Sequence, residues 1–356
     1  MLEQRRKKIL KFAHSYDCDY LLVFQPENLF YISGYWGKGI GLIEKNGRTI
    51  IFTPEMEVQR AKIESVNCDV IQSGERGTLS LEPVMNMIRD KKVCTDCQSY
   101  SMLELLHKSN SNLKAIEEPF HNARMVKDSV EISILKKIST VMDKIFDYCT
   151  EYIVAGMKES ELQSLLMSYA FQNNLCDSGY NYTLNPLIVA SGPNSSLPHA
   201  QVSNRKFRKG DVITVDLTFR YGGYISDATR TFGLGKISEK SKKIYEIVKE
   251  SQKIGIKYCT PNTVCSSVDE ACRKYIFNSG YGDYFVHSTG HGIGLEAHEF
   301  PSINSRSNVR LQKNMAITVE PGIYFPKKFG VRIEDSIIVG EKPIVLHKFT
   351  KDLIEI

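Results

Sequence analysis

Four acidic residues sit in stretches whose neighbours suit a buried strand. Asp216 lies in Val212-Ile213-Thr214-Val215-Asp216-Leu217, an apolar and β-branched run, and a carboxylate inside such a strand needs a partner. Asp227 ends Gly222-Gly223-Tyr224-Ile225-Ser226-Asp227, which reads as the return strand of a hairpin turning at Tyr221-Gly222-Gly223. Pairing those strands brings two carboxylates together, where like charges repel and raise each other's pKa unless a cation sits between them. The pattern recurs twice: Glu320 closes Met315-Ala316-Ile317-Thr318-Val319, and Glu334 lies inside Val331-Arg332-Ile333-Glu334-Asp335-Ser336-Ile337-Ile338-Val339. Each acid alone reads equally as a capped or salt-bridged strand end. Together they are hard to explain without metal, because a buried unpaired carboxylate costs on the order of several kcal/mol.

A fifth candidate is His291, in Gly290-His291-Gly292-Ile293-Gly294, where glycines permit close backbone approach and neutral imidazole is a metal ligand. Seen singly, that histidine reads as a satisfied core residue. With four carboxylates it completes a hard donor set suited to Mn²⁺, Co²⁺, Fe²⁺ or Zn²⁺ and too carboxylate-rich for structural zinc. Two divalent ions about 3.5 to 4 Å apart use the set more fully than one. Such a pair shares and acidifies a water, and clamps the oxyanion formed when the resulting hydroxide attacks a carbonyl. Rival chemistries lack their residues. No GxSxG elbow is present, the glycines around His291 carry neither the lysine of a P-loop nor GxGxxG spacing, and Cys94-Thr95-Asp96-Cys97 has no second pair to make a zinc site.

Positioning these residues requires strands in the second half of the chain. Residues 2 to 116 alternate helix and strand patterns in the βα style of a mixed or mostly parallel sheet. Strands are expected at 20–24, 41–44, 49–53, 68–71, 92–94 and 113–116, and helices at 3–15, 56–65, 80–90 and 99–109. The pattern breaks at Glu118-Pro119-Phe120-His121-Asn122, which divides the chain into expected domains 1–122 and 123–356. Beyond it, Ile132, Ile134, Leu135, Ile138, Val141, Met142, Ile145 and Phe146 recur at amphipathic-helix spacing. Further helices are expected at 158–172, 238–258 and 264–279, with strands at 187–190, 211–219, 223–232, 315–320 and 331–339. Helices mixed with antiparallel-looking strands make this half α+β.

Composition narrows the classes. The net charge of +5, from 46 basic and 41 acidic residues among 356, is spread along the chain, which argues against a nucleic-acid partner. The one dense basic run, Arg5-Arg6-Lys7-Lys8, reads as the solvated face of a first helix. No stretch approaches the ~20 apolar residues that span a bilayer, so no membrane partner is expected. Nine cysteines, an odd number without repeating spacing, suit free thiols in a reducing, cytoplasmic setting.

The order Asp216, Asp227, His291, Glu320, Glu334, with the phrases VDLTFRYGGYISDATRTF, HSTGHGIGLEAHE, ITVEPGIYF and GVRIEDSI around them, resembles the pita-bread metallopeptidases, specifically their prolidase and Xaa-Pro aminopeptidase branch. The likeness covers most of residues 124 to 356, and the first half is similar in size and position to the smaller creatinase-type domain of the same enzymes. It implies a hydrolase for Xaa-Pro bonds in proline-containing peptides, a dipeptidase first and an aminopeptidase on longer peptides second. It implies two divalent ions, Mn²⁺ first among them, and a homodimer in which an aromatic approaches the partner's site, a place for Trp36, which reads at least as well as a buried tryptophan of its own domain.

By position in the motifs, the resemblance makes Asp216 a terminal ligand of one ion, Asp227 and Glu334 bridges, and His291 with Glu320 terminal ligands of the other. Glu320 also shuttles a proton. His199 faces the substrate, His298 bonds its carbonyl, His287 lines the proline side and Arg332 orients a carboxylate. Solvated loop residues are the plainer reading of the three histidines. For Arg332 the plainer reading is an ion pair. Arg306 and Arg310 are candidates for a free substrate carboxylate, or simply solvated. Methionyl aminopeptidases share the five ligands but usually lack so large a first domain, His287 and Arg332. Creatinase lacks the full ligand set, and the non-catalytic binding relatives of the fold have lost ligands that are intact here.

Overall fold

In the computed structural model, which describes residues 1–180 and 183–356, the alternating pattern of the first half closes into one mixed sheet. Its strands are β1 (Tyr20–Val23), β2 (Ile40–Glu44), β3 (Thr49–Thr53), β4 (Asp69–Gln72), β5 (Val93–Thr95) and β6 (Leu113–Ala115), in the order β4-β3-β2-β1-β5-β6. Pairing is antiparallel from β1 to β3 and parallel elsewhere. The helices are α1 (Leu2–Ala13), α2 (Pro26–Ser33), α3 (Val58–Glu64), α4 (Glu82–Ile88), α5 (Tyr100–Ser109) and α6 (Glu118–Met125). The chain divides into two units, Met1–Arg124 and Met125–Ile356.

Three features differ from the sequence reading. The segment expected to break at 118–122 is helix α6, and α2 is a further helix that the pattern does not announce. Both carry proline in the first turn, where its missing N–H is one that no helix bonds. The basic run is only half solvated: Arg5 and Arg6 are buried. Arg6 donates from Nε to Ile32 O at 2.8 Å and from Nη1 to Asn67 O at 2.8 Å, so its charge serves to close loop ends rather than to face water. Trp36 is half-buried and packs on Phe30, ring centroids 5.3 Å apart. Cys94 and Cys97 are buried free thiols, and Asp96 between them fixes the chain just ahead of α2 by accepting from Phe24 N at 2.6 Å and Gln25 N at 3.3 Å.

The second unit opens with α7 (Ser129–Tyr152), started by a capping box in which Asp128 accepts from the Glu131 amide and Glu131 accepts from the Asp128 amide. Leu135, Ile138, Met142, Ile145 and Phe146 form its buried stripe. There follow α8 (Glu159–Gln172), β7 (Cys176–Asp177), β8 (Ile188–Ser191), β9 (Val212–Tyr221), β10 (Tyr224–Gly233), α9 (Glu239–Lys257), α10 (Cys265–Asn278), β11 (Gly290–Gly292), β12 (Glu299–Ile303), β13 (Ala316–Val319), β14 (Gly322–Phe325), β15 (Phe329–Arg332), β16 (Asp335–Ile338) and β17 (Ile344–Val345). One sheet runs β10-β9-β7 with β8 also on β9; a second runs β12-β11-β13-β16-β17; β14 and β15 pair separately. Helices and mainly antiparallel sheets make an α+β unit whose main core joins α9 and α10 to the second sheet, through Ile244, Val248, Val268, Ile276, Ile317 and Ile337.

Spacing predicts one strand over 331–339, and the structure has two. The chain leaves β14's partner at Arg332 and joins β13 from Asp335 onward, so Ile333 and Glu334 form the crossing between two sheets. At that crossing the Glu334 main chain is taken up by β10 and its neighbour, with Glu334 N donating to Thr229 O at 3.1 Å and Arg230 Nη1 donating to Glu334 O at 2.6 Å.

Candidate metal centre

The β9–β10 hairpin sets the first two carboxylates. Gly222 and Gly223 both have positive φ, +55° and +87°, the backbone of a two-residue turn that matches strand twist. Register then follows: Asp216 faces Thr229 and Asp227 faces Thr218. Cross-strand partners share a face, as do residues two apart, so Asp216 and Asp227 are diagonal neighbours on the same side. The second sheet supplies the rest. Val319 pairs with Asp335, so Glu320 just after β13 and Glu334 just before β16 emerge at the same end. His291 on β11 is brought in by close approach of the backbones: a Cβ at Gly290 would lie 2.1 Å from Thr318 O, and one at Gly292 2.3 Å from Phe300 O. Only glycine fits at either place.

The five predicted ligands converge. Donor atoms of Asp227, His291 and Glu334, all buried, lie within 4.8 Å of one another. His291 Nε2 is 3.3 Å from Glu320 Oε1 and 4.0 Å from Asp227 Oδ2. Its Nδ1 lies 3.1 Å from Gly292 O, an atom that only accepts, so the proton is on Nδ1 and Nε2 faces the carboxylates. Asp216 is tied in by Arg332, whose Nη2 donates to Asp216 Oδ2 at 2.7 Å. Thr218 Oγ1 donates to Asp227 Oδ1 at 3.0 Å and Thr229 Oγ1 to Glu334 Oε2 at 2.7 Å.

Electrostatics bear on whether cations fit. Burial first, then the Asp216 charge, pushes Asp227 well above the usual carboxylate range. Burial, then Asp227, Glu320 and Asp216, does the same to Glu334. Burial also works against the Glu320 anion, but the His291 hydrogen bond and charge outweigh it and bring Glu320 down to about 2. Asp216 Oδ1 is buried and accepts no hydrogen bond. An orphaned carboxylate oxygen, two acids pushed toward protonation by burial and then by neighbouring acids, and an imidazole whose Nε2 is turned toward them are what a site for divalent cations requires. The donor set therefore fits such ions.

Around the cluster runs a second layer. His287 Nδ1 lies 2.8 Å from Ser288 O, and its Nε2 is 2.9 Å from Tyr324 OH. Arg332 Nη1 donates to that same hydroxyl at 2.9 Å. Because a carbonyl only accepts and a guanidinium only donates, the direction is fixed: Arg332 to Tyr324, Tyr324 to His287 Nε2, His287 Nδ1 to Ser288 O. Burial supports this by pushing Tyr324 up to about 12 and His287 down, so the phenol keeps its proton and the imidazole stays neutral. Tyr324 is a site residue whose only signal in the sequence is its place in ITVEPGIYF, since a tyrosine in a strand reads as an ordinary β-former.

His298 stacks edge-on against His291, centroids 3.9 Å apart. It keeps an exposed edge, and water there offsets part of the effect, but crowding of the rest of the ring and then the His291 charge push its pKa down. Its turn is held by Glu299, whose Oε1 accepts from Leu295 N at 2.7 Å and whose Oε2 pairs with buried Lys127 at 2.9 Å. His199 is exposed and close enough to His287 and His298 for its charge to bear on both. Arg310 donates to Asn262 O at 3.0 Å and bridges Val264, which ties it to the α9–α10 turn, and Arg306 is exposed. In the described residues no helix is long and apolar enough to cross a membrane.

Comparison with known proteins agrees with this geometry. The metallopeptidase family M24 model matches residues 133–341, and the creatinase/prolidase N-terminal domain model residues 5–126. The chain is 34% identical over 345 residues to the Xaa-Pro dipeptidase of Pyrococcus furiosus, covering 96% of each sequence. Its structure superposes on an Xaa-Pro dipeptidase from Bacillus anthracis with a TM-score of 0.92, at 32% identity over 100% of both chains. An X-Pro aminopeptidase from Thermotoga maritima gives 0.87, at 29% identity over 99% of both. With a hairpin that bears two clustered carboxylates, a second sheet and a separate first unit all accounted for, the chain belongs to metallopeptidase family M24, the pita-bread metal-dependent peptidases, and carries their creatinase/prolidase N-terminal domain.

Proposed function

We propose that this protein is an Xaa-Pro dipeptidase, a prolidase, with a pair of divalent ions, Mn²⁺ first among Mn²⁺, Co²⁺, Fe²⁺ and Zn²⁺. The observation that carries the reading is the convergence of Asp216, Asp227, His291, Glu320 and Glu334 in a chain whose full-length relatives include Xaa-Pro dipeptidases. Asp216, through its unpartnered Oδ1, would hold one ion, Asp227 and Glu334 would bridge, and His291 with Glu320 would hold the other. When bound, the ions supply Lewis acidity toward the scissile carbonyl and lower the pKa of the attacking water.

The residues divide the remaining work. Glu320, just after β13 with Oε1 3.3 Å from His291 Nε2, is the base that takes the water's proton. The proline nitrogen, like any amide nitrogen, leaves as an amine only after gaining a proton, and Glu320 returns there the one it took from water. His298, neutral, donates an N–H to the carbonyl oxygen as charge develops on it. His287 and Tyr324 line the proline side in a fixed tautomer, His199 faces the substrate from the exposed side, and Arg332 holds Asp216 in place. The free thiols of the described chain support a cytoplasmic setting, and likeness to the family supports a homodimer.

The test is hydrolysis by Mn²⁺- and Co²⁺-reconstituted protein of Met-Pro, a longer peptide beginning Xaa-Pro, and a peptide beginning Met-Ala. Cleavage of Met-Pro alone is the expected result. Cleavage of the longer Xaa-Pro peptide turns the reading to the aminopeptidase that the Thermotoga maritima likeness favours, and release of methionine from Met-Ala alone overturns proline altogether. His298→Ala is expected to lower kcat by roughly 10² with metal content unchanged; metal loss would mean that its role is different.

A further inference from the structure

The segment that carries His287 is gripped from outside the site by one face of α10. Asp269, fully buried, accepts on Oδ1 from Thr289 N at 3.2 Å and Thr289 Oγ1 at 2.7 Å, and on Oδ2 from Arg273 Nε at 2.8 Å. Arg273, four residues on and so on the same helix face, donates from Nη1 to Phe285 O at 3.0 Å and from Nη2 to His287 O, with its guanidinium 4.2 Å over the Phe285 ring. The pair thus holds residues 285, 287 and 289, three alternate positions of one extended stretch. The His287 ring is set on the other side by Tyr324 and Ser288 O. Thr289 O in turn accepts from Glu320 N at 2.8 Å, so the grip ends at the proposed base.

We propose that Asp269 and Arg273 are positioning residues that set the preference for proline, Arg273 by fixing the His287 main chain and Asp269 by fixing Thr289 and, through it, Glu320. The proposal rests on the reading of His287 as lining the proline side. Neither residue touches substrate. Arg273 lies beside a cleft of about 530 Å³, also lined by Ser266, Glu270, Lys274, Phe277 and Ser305, so shortening its side chain removes hydrogen bonds without forcing a neighbour to move. Lysine cannot replace it, since a single ammonium cannot reach Asp269 and two carbonyls in a planar fork.

The experiment compares wild type, Arg273→Gln, Arg273→Lys, Asp269→Asn and Thr289→Val as full-length, metal-loaded proteins. Arg273→Gln is expected to raise KM for Met-Pro roughly tenfold with kcat within about threefold, metal content unchanged, and Arg273→Lys to rescue little of it. Asp269→Asn is expected to lower kcat as well, and Thr289→Val, which removes one hydroxyl bond only, to move both in the same direction by less. Amide exchange in 285–289 and at Glu320 should quicken while the rest of the unit stays protected. An unchanged KM, an equal rise for any substrate cleaved without proline, or loss of metal in Arg273→Gln overturns the proposal. So does unchanged exchange in 285–289, a readout that holds whatever the substrate. If the wild type leaves Met-Pro intact but cleaves the longer Xaa-Pro peptide, the dipeptidase reading fails and the same KM comparison is made on that peptide; if it cleaves neither, the link to proline fails and the grip is judged on exchange alone. Should Asp269→Asn fail to fold, Thr289→Val and Arg273→Gln decide the outcome.

Discussion

Asp96 in the first unit and Glu334 in the second are both carboxylates sealed from water, and they teach opposite lessons about buried charge. Asp96 is surrounded by donors: the main-chain N–H groups of Phe24 and Gln25, just ahead of α2, and Asn28 Nδ2 at 2.8 Å. Asn28 is itself bonded by Arg124 Nη1 at 3.0 Å. Glu334 takes a hydroxyl from Thr229 and otherwise faces Asp227, Glu320 and Asp216. Burial raises both. Only Glu334 is raised by neighbouring anions as well. A buried acid is therefore no sign of a site in itself; a buried acid whose neighbours are acids is.

The largest expected break in that comparison is functional. Asp227→Asn or Glu334→Gln should lower peptidase activity by roughly 10³-fold or more and reduce the metal bound per chain, measured by hydrolysis and elemental analysis of the same sample. Asp96→Asn should leave metal content and kcat near wild type. Unchanged turnover in either bridge variant would sink the dinuclear reading.

A smaller effect sharpens the other side. Asp96 is pushed up to about 6, by burial against the pull of its donors, whereas in the unfolded chain it titrates near ~3.9. The folded state therefore holds the proton more tightly. Stability of the first unit contributed by this group is present below about pH 4, falls as pH rises to about 6 and levels off above, a change of about 2 to 3 kcal/mol. Trp36, the single tryptophan, lies in this unit and so reports on its unfolding. Urea midpoints followed by its fluorescence from pH 4 to 7 should decline in wild type, with this part of the decline absent in Asp96→Asn. Identical pH slopes in the two proteins would mean that the donors, not burial, control Asp96.

How much of this is legible in the sequence depends on how far each partner lies along the chain. The Asp216–Asp227 pair is legible because a two-glycine turn fixes the hairpin register locally. Asp96 is not: its donors are some seventy residues away, at 24 to 28, and nothing in Cys94-Thr95-Asp96-Cys97 points to them. The crossing at Glu334 is hidden for a related reason. Val331 to Val339 is apolar through most of its length, and hydrophobic pattern cannot tell one strand from two strands that serve different sheets. Pro119 reads as a break although proline is at home in a first turn, as it also is in α2. Tyr324 acquires its role only from His287 and Arg332, and Arg273 only from carbonyls that it reaches across a turn.

The smallest effect brings the two acids into one experiment. In metal-free protein at neutral pH, Asp227 and Glu334 work against folding, because burial strips them of water, their neighbours are anions and too few donors compensate. Asp227→Asn keeps the shape and removes one of the opposing charges, so the chelated variant should be about 1 to 2 kcal/mol more stable than chelated wild type. With saturating Mn²⁺ the order should reverse, since ions that bind the folded state stabilise it in proportion to occupancy and the variant has lost a bridge. Scanning calorimetry of the four samples would read the crossover directly. A variant less stable than wild type in both states would mean that Asp227 is held chiefly by its own hydrogen bonds rather than opposed by its surroundings, and the contrast between the two carboxylates would collapse.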